Sequence, residues 1–279
     1  MRSKQAKRTI TATVVGIAVI ALLLYILFPF LVALNTALKT KAEIYSGEVY
    51  WIPRMPTLRN FIDIWSQIDF ARYLLNSVIV CVGTSTLATI SAAMAAYSLA
   101  NMKFRFNKVY LNLVILTQMF SPIVLIIPLY RMLVNIKMSN NLFGLILLNT
   151  AVVLPFTIWL AYGFFKSFPQ DILEAGLIDG CSGLNALFRL IMPIIRPGLV
   201  TLVIYTFAFA WNEFLFAYTI ITKSRLKVVA VGIFDFVRMY NADWNYITAA
   251  LLVAVVPIFV LFLVIEKNVV HGLAEGIGK

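Results

Sequence analysis

Charge is what this sequence of 279 residues has little of: Lys, Arg, Asp and Glu together make up 13% of it, against about 25% in soluble domains. Histidine occurs once, at His271, and cysteine twice, at Cys81 and Cys181. These shortages exclude several chemistries. A metal site needs grouped His, Cys or carboxylate ligands, and covalent catalysis needs a base beside its nucleophile. No such spacing is present, so neither a metal ligand nor a catalytic residue is assigned. A phosphate-cradling loop is missing too. Gly278-Lys279 comes nearest, but Leu273 stands where the first glycine of such a loop belongs and no Ser or Thr follows. The two cysteines, one in an apolar run and one in a polar stretch, read as free packing residues rather than a disulfide framework.

Apolar residues are abundant: they make up 62% of the chain, against roughly 45 to 50% in soluble domains. One water-soluble core cannot hide that much, whereas a bilayer takes about 20 apolar residues per helix. Six stretches have spanning length, at 10–34, 74–100, 109–130, 142–165, 198–221 and 247–265. Each is apolar around its circumference, and the alternating ten-residue strands of a membrane barrel are not seen. The expected fold class is therefore an all-α membrane protein with six transmembrane helices. The first stretch follows a basic start, as a signal peptide would, but its length reads as a retained span.

The formal charge of +11 raises the question of nucleic acid. Its distribution answers it: beyond Arg2, Lys4, Lys7 and Arg8 the cations stand singly or in threes between apolar runs, as loop charges at a lipid bilayer do, and no nucleic-acid partner is expected. Six spans put both ends on one side. With that side inside, the inner segments carry 12 Lys and Arg and the outer loops 11. Loop charge alone hardly decides the orientation, and only the N-terminal cluster and the Lys103, Arg105, Lys108 turn favour it.

Between the first two spans, Leu58, Phe61, Ile62, Trp65 and Ile68 recur at helical spacing after Thr57, which predicts a short helix on the membrane surface, either packed on the bundle or open to a partner. Pro29, Pro122, Pro128, Pro155 and Pro257 fall inside spans and are expected to kink them. Glu213, beside Trp211 and Asn212, is the ionisable residue that lies well inside a span. A carboxylate there costs on the order of 2.5 to 3.5 kcal/mol, so it faces a cavity, a partner or a helix end. Two readings stand for this trio, a pathway or gate and a hydrogen-bonded structural group. An ion-coupled secondary transporter would need more intramembrane charge or matched broken helices than this one residue supplies.

The most informative stretch is Phe168 to Pro193, on the inner side. It reads as two short helices around a glycine break: Asp171 suits the first helix start, and Gly180 and Gly183 permit a turn. Leu184, Leu187, Phe188 and Ile191 then make an apolar stripe that Pro193 and Pro197 end. Within it, Glu174-Ala175-Gly176, three residues, Gly180, nine residues, Leu190, one residue, Met192 and Pro193 resembles the EAA motif of ABC importer permeases. The usual pattern is Glu-Ala-Ala, three residues, Gly, nine residues, Ile, one residue, Leu-Pro. Gly176, Leu190 and Met192 depart from it while keeping its spacing, and Gly176 is expected to loosen the first helix by about 1 kcal/mol against Ala.

The resemblance covers nearly the whole chain and is closest to the MalG-like subunit of carbohydrate ABC importers. It extends to Asn35–Lys39, Pro56-Thr57-Leu58-Arg59-Asn60-Phe61, Asn76-Ser77, Trp211-Asn212-Glu213-Phe214 and the ending Gly272-Leu-Ala-Glu-Gly276. It implies the type I (MetI/MalG-like) permease fold in a bacterial inner or plasma membrane, with both termini cytoplasmic. The implied division is a first helix with its outer loop over 1–73 and a five-helix permease core over 74–279, the latter holding a coupling loop at 167–195 and a tail at 266–279. It further implies a second, homologous MalF-like permease, a dimer of ATPase subunits, an extracytoplasmic solute-binding protein and a carbohydrate substrate. ATP and Mg would then sit on the partner ATPase, with no cofactor on this chain and no enzyme activity of its own. Carried onto matching positions, Glu174, Ala175, Gly176, Asp179, Gly180 and Pro193 form the ATPase-coupling element. Gly272, Gly276 and Lys279 belong to a tail that reaches the same ATPase, and the outer loop at 222–246 reaches toward the binding protein.

Overall fold

The computed structural model describes residues 2–48, 50–101, 106–239 and 242–276, with side chains left aside at 2–10, 170, 177, 184, 238, 239 and 264–276. Every regular element among them is helical. In chain order these are α1 (Arg2–Ala37), α2 (Lys41–Ile44), α3 (Arg59–Gln67), α4 (Phe70–Asn101), α5 (Asn107–Leu116), α6 (Pro122–Asn135) and α7 (Leu142–Lys166). They continue with α8 (Gln170–Ile178), α9 (Gly183–Asn185), α10 (Met192–Ile194), α11 (Arg196–Asn212), α12 (Leu215–Ile220), α13 (Val229–Met239) and α14 (Trp244–Gly276). A π-helical stretch, Ala186–Ile191, joins α9 to α10.

Four helices are long and apolar enough to cross a membrane unbroken: Thr11–Ala37, Phe70–Asn101, Leu142–Lys166 and Trp244–Leu263. Two further spans are bent pairs, Asn107–Met119 with Pro122–Asn135 at 98° and Ala186–Ile194 with Arg196–Asn212 at 85°. The count reaches the expected six when each bent pair is taken as one span, and the third and fifth are not the continuous helices the hydropathy predicted. The third breaks because the Pro122 ring crowds Ser121 out of the helical region, leaving it extended at φ −62°, ψ 132°, while Pro122 itself opens α6. Pro29, Pro128, Pro155 and Pro257 all lie within helices that continue past them. The fifth stops at Asn212, where Glu213 turns extended at φ −73°, ψ 115° before α12 begins.

The chain divides into two compact units, one of residues 1–68 with 233–255 and the other of residues 69–232 with 256–279. In the first, α1 exposes every side chain from Thr11 to Val32. That suits a helix surrounded by lipid or by another membrane chain. Its end is tied by side chains: Asn60 Nδ2 donates to the carbonyls of Ala37 at 2.7 Å and Lys39 at 2.8 Å, satisfying acceptors that a helix end leaves over. Asn245 Nδ2 donates to Asn60 Oδ1 at 2.8 Å, Tyr246 Oη to Asp63 Oδ2 at 3.3 Å and Tyr45 Oη to the Ala242 carbonyl at 2.6 Å. Lys41 pairs with Asp243, and the hydrogen bond its ammonium donates to that carboxylate holds the Lys41 pKa above its ordinary value. The short helix read from sequence is α3, but it buries Asn60 and Ile64 while Leu58, Ile62 and Trp65 of the expected apolar stripe are exposed.

The second unit is built on α4 and α7. Gly83 admits Ile146 so closely that a Cβ on it would lie 2.7 Å from the Ile146 Cδ1, and Ala88, Ala92, Ala93 and Ala96 continue a buried small-residue face along α4. Two apolar clusters result. One gathers Ala96, Ile158, Ala161 and Phe165 with Leu173, Leu187, Ile191 and Leu202; the other gathers Val80, Leu145 and Leu148 with Phe216, Ile220 and Val231. Polar side chains fix the loops beside them. Asn76 Nδ2 donates to the carbonyls of Arg225 at 3.0 Å and Lys227 at 2.9 Å, and Ser77 Oγ accepts from the Val229 amide at 2.7 Å. Asn140 Oδ1 accepts from the amides of Thr222 at 2.7 Å and Lys223 at 2.9 Å.

At the mouth of α7, a Cβ on Gly144 would lie 2.1 Å from the Met138 carbonyl oxygen, a backbone atom that cannot rotate away. Gly163, on the same helix, has nothing within 4 Å of that position. Overpacking of this kind costs about 1 to 3 kcal/mol. Gly144→Ala is therefore expected to lower the thermal unfolding midpoint of the detergent-solubilised chain by several degrees, while Gly163→Ala leaves it level or raises it. Equal midpoints for the two variants would contradict the packing described.

Candidate functional site

The segment after α7 begins with α8, whose Leu173 is buried and whose Glu174 and Ala175 are exposed. Its end is closed by backbone: the Asp179 amide donates to the Ala175 carbonyl at 3.0 Å, and the Cys181 amide reaches back to the Gly176 carbonyl at 3.0 Å. That six-to-one closure needs a left-handed residue between its partners. Gly180 supplies it, at φ +88°. The chain then runs through α9, the π stretch and α10, where the Ile195 amide donates to the Ile191 carbonyl at 3.0 Å before α11 turns away.

Two side chains of the expected stripe, Leu187 and Ile191, are buried, together with Ala186. Phe188, placed in the same stripe from sequence, points outward and is 48% exposed. The π stretch accounts for this, because five-residue hydrogen bonding rotates the helix face away from the spacing that a regular α-helix gives. Leu184 has its side chain outside the described residues. Pro193 was expected to end the second helix; it lies instead inside α10, which runs on to Ile194.

Of the residues assigned to the coupling element, Glu174, Ala175, Asp179, Gly180 and Pro193 are exposed, and Gly176 is buried. A Cβ on Gly176 would lie 2.4 Å from Leu190 Cδ1. Two of the three departures from the usual pattern therefore face each other, and the glycine permits close approach of the Leu190 side chain to α8. Sequence reasoning missed Ile178, which is 86% exposed immediately before the Asp179-Gly180 turn. The signal was available: a large apolar residue beside a turn, with nothing nearby in the pattern to bury it. Gly272 and Gly276 lie on the backbone of α14, which continues helically to Gly276; Lys279 lies outside the described residues.

Glu213, Asn212 and Trp211 stand at the broken end of α11, where Trp211 faces the core while Asn212 and Glu213 line an open groove. Trp211 is buried, stacked on Phe207 with ring centroids 5.7 Å apart. The Glu213 carboxylate accepts from the Phe216 amide at 2.6 Å and the Ala217 amide at 2.9 Å, capping α12. A helix end is thus one of the places the carboxylate occupies. It also lines, with Tyr205, Ala208, Phe209 and Asn212, an open groove of about 430 Å³. Tyr205, Ala208 and Phe209 carried no sequence signal of their own, because the span was read as apolar on all sides. Among the described residues no three His, Cys, Asp or Glu side chains are grouped to hold a metal ion, and Cys81 and Cys181 are free.

Residues 85–274 match the family described as the inner membrane component of binding-protein-dependent transport systems, and the chain belongs to that family. It is a multi-pass membrane permease subunit rather than an enzyme. It is similar to the sulfoquinovosyl glycerol transport system permease protein SmoH of Agrobacterium fabrum, 34% identical across 93% of this chain and 91% of that one. It is also similar to the melibiose/raffinose/stachyose import permease protein MelC of Bacillus subtilis, 32% identical across 90% and 91%. In fold it resembles a chain of a bacterial ABC transporter that imports the acidic polysaccharide alginate, with a TM-score of 0.78, 18% identity and coverage of 96% and 98%.

The Gly180 turn gives a direct check. A left-handed conformation costs a residue with a Cβ roughly 1 to 2 kcal/mol, which is a five- to thirtyfold change in a local equilibrium. Gly180→Ala is expected to raise amide hydrogen exchange across 171–181 by about that factor without changing exchange in α4. Unchanged protection of 171–181 would contradict the conformation assigned to this turn.

Proposed function

We propose that this chain is one permease half of an ATP-driven, binding-protein-dependent importer for a carbohydrate. The observation that carries the reading is the exposed end of the α8–α10 unit, where Glu174, Ala175, Asp179 and Gly180 stand together on a base anchored by Leu173, Leu187 and Ile191. Such a unit transmits force. Its apolar anchor ties it to the ends of α4 and α7, while the exposed tip, with Ile178 and two carboxylates, seats in a groove of an ATPase subunit. The carbohydrate class is supported by the two permease relatives, whose names give sulfoquinovosyl glycerol and melibiose, raffinose and stachyose as their cargo.

In this reading the partners are a second, homologous permease, two ATPase subunits that bind ATP and Mg, and an extracytoplasmic solute-binding protein. This chain holds no cofactor. Both termini are cytoplasmic, the helical end through Gly272 and Gly276 reaches the ATPase, and the 222–246 loop faces the binding protein. Closure of the ATPase pair moves the coupling units as levers, and the permease pair changes from inward-open to outward-open. The chain does mechanical rather than covalent work.

Co-purification tests it. With the neighbouring genes co-expressed, Glu174→Ala and Gly180→Pro are expected to reduce the recovered ATPase by about tenfold, the size of a lost charge-assisted contact. Membrane insertion and recovery of the second permease should be unchanged. Full ATPase recovery and full uptake in Gly180→Pro would sink the assignment of this unit as the coupling element.

A further inference from the structure

We propose that the exposed apolar residues Trp51, Ile52, Met55, Leu58, Ile62 and Trp65 form a lipid-binding surface, seated among the headgroups and upper acyl chains of one leaflet. That leaflet is the one at which α1 ends and α14 begins, the outer one in the orientation proposed above. The inference rests on α1 and α14 being membrane spans and is independent of the substrate.

Hydrogen bonds to two span ends fix the level of this surface. The α1 span ends at Ala37 and the α14 span begins at Trp244. Asn60 Nδ2 donates to the carbonyls of Ala37 and Lys39 at 2.7 and 2.8 Å, and the Thr57 amide donates to the Leu38 carbonyl at 2.8 Å. From the other span, Asn245 Nδ2 donates to Asn60 Oδ1 at 2.8 Å and Tyr246 Oη to Asp63 Oδ2 at 3.3 Å. The segment ahead of α3 is tied at the same place: Lys39 Nζ donates to the Tyr50 carbonyl, and the Arg54 amide donates to Glu43 Oε1 at 2.8 Å. A helix clamped between two span ends lies at the membrane boundary, and it cannot lift into bulk water without breaking these bonds.

The helix divides its sides as that boundary requires. Leu58, Ile62 and Trp65 fall four and three residues apart, share a face and are exposed. Asn60 and Ile64 turn into the protein. Arg59, Asp63 and Gln67 take a third side, where they line a polar cleft with Thr40, Lys41 and Asn245. An apolar face toward acyl chains and a polar side toward water is the arrangement of a helix lying in the interface. Trp51, Ile52 and Met55, all exposed, extend the apolar surface beyond the helix.

Composition selects lipid over a protein partner. Trp and Tyr collect where a membrane meets water, and three of the chain's five tryptophans, Trp51, Trp65 and Trp244, are exposed at this one boundary. The Arg54 guanidinium lies 3.9 Å from the centroid of the Tyr50 ring, a pair whose apolar body and charged head suit the headgroup layer. Residues 39–72 carry five Lys and Arg against four Asp and Glu. The surface therefore offers no charge of one sign for a charged protein to read, and none that selects anionic lipid. Apolar area supplies the attraction. The competing occupant is a protein, the second permease or the binding protein, and the test separates it from lipid.

The complete transporter, otherwise free of cysteine and carrying Cys81→Ala and Cys181→Ala, is placed in phosphatidylcholine nanodiscs with a nitroxide attached at Trp51→Cys, Ile62→Cys or Gln67→Cys. Power saturation measures collisions with oxygen, which concentrates in lipid, and with a nickel chelate, which stays in water. Labels at 51 and 62 are expected to favour oxygen and to lie roughly 5 to 10 Å into the boundary of headgroups and acyl chains, while the label at 67 favours the chelate. Adding phosphatidylglycerol should leave both depths unchanged. Chelate collisions at 51 and 62 equal to those at 67 would overturn the proposal, because the surface then faces water. Low collision rates with both reagents at 51 and 62 would overturn it in favour of a protein partner. A depth that grows with phosphatidylglycerol would overturn its apolar basis. A second measurement needs no substitution: in the native complex, a phospholipid carrying a photoactivated diazirine near its glycerol is expected to tag residues within 50–65. Tags on other parts of the chain with none in 50–65 would equally overturn the lipid surface.

Discussion

Lipid tails are as apolar as leucine, so two membrane helices gain little from hiding apolar surface and must be held by close packing. In the larger unit that packing is the contact of α4 with α7. Gly83 lets Ile146 in, and the alanines at 88, 92, 93 and 96 keep the helices close along their length. The cluster that begins with Ala92 and Ala96 continues through Ala161 and Phe165 into Leu173, Leu187 and Ile191. The rigid part of the span and the anchor of the exposed α8–α10 unit are therefore one apolar body. Removing side-chain volume from α4 was the condition for building it.

Polar side chains in this chain gather where helices stop. Polar groups are scarce, and the structure spends them on ends and turns: Asn76 and Ser77 on the backbone before α13, Asn140 on the turn at Thr222, Asn60 on the end of α1, Glu213 on the start of α12. Each satisfies donors or acceptors that a bilayer would otherwise leave bare. Glu213 does this while also facing a groove, so the two readings of that residue, structural and functional, are not exclusive. The Gly180 turn is the same device built from backbone alone.

Much of this was legible in the sequence, and the remainder was hidden for physical reasons. The Glu174 to Pro193 spacing located the exposed unit because it is local: the helix start, the glycine turn and the anchoring leucines fall within one short segment. Contacts between the two arms of that segment left no trace, as with Gly176 against Leu190, where each residue alone looks like a minor departure from a pattern. The broken spans were signalled only in part. Pro122 was one of five intramembrane prolines expected to kink a helix and the one that interrupts it, with an extended residue before it and a helix start after it, and the sequence placed Glu213 at a cavity, a partner or a helix end without saying which. The π stretch turned Phe188 outward against the regular period. Periodicity cannot report a change of period.

The central claim is that the chain moves its substrate by work delivered from an ATPase and not by an ion gradient. The direct test is uptake of radiolabelled sugar into proteoliposomes holding this chain with its second permease, ATPase and binding protein. ATP is supplied in one set, and a proton or sodium gradient without ATP in the other. The account predicts uptake with ATP and background accumulation with either gradient. Gradient-driven uptake by this chain reconstituted alone would contradict it and make the protein a secondary transporter.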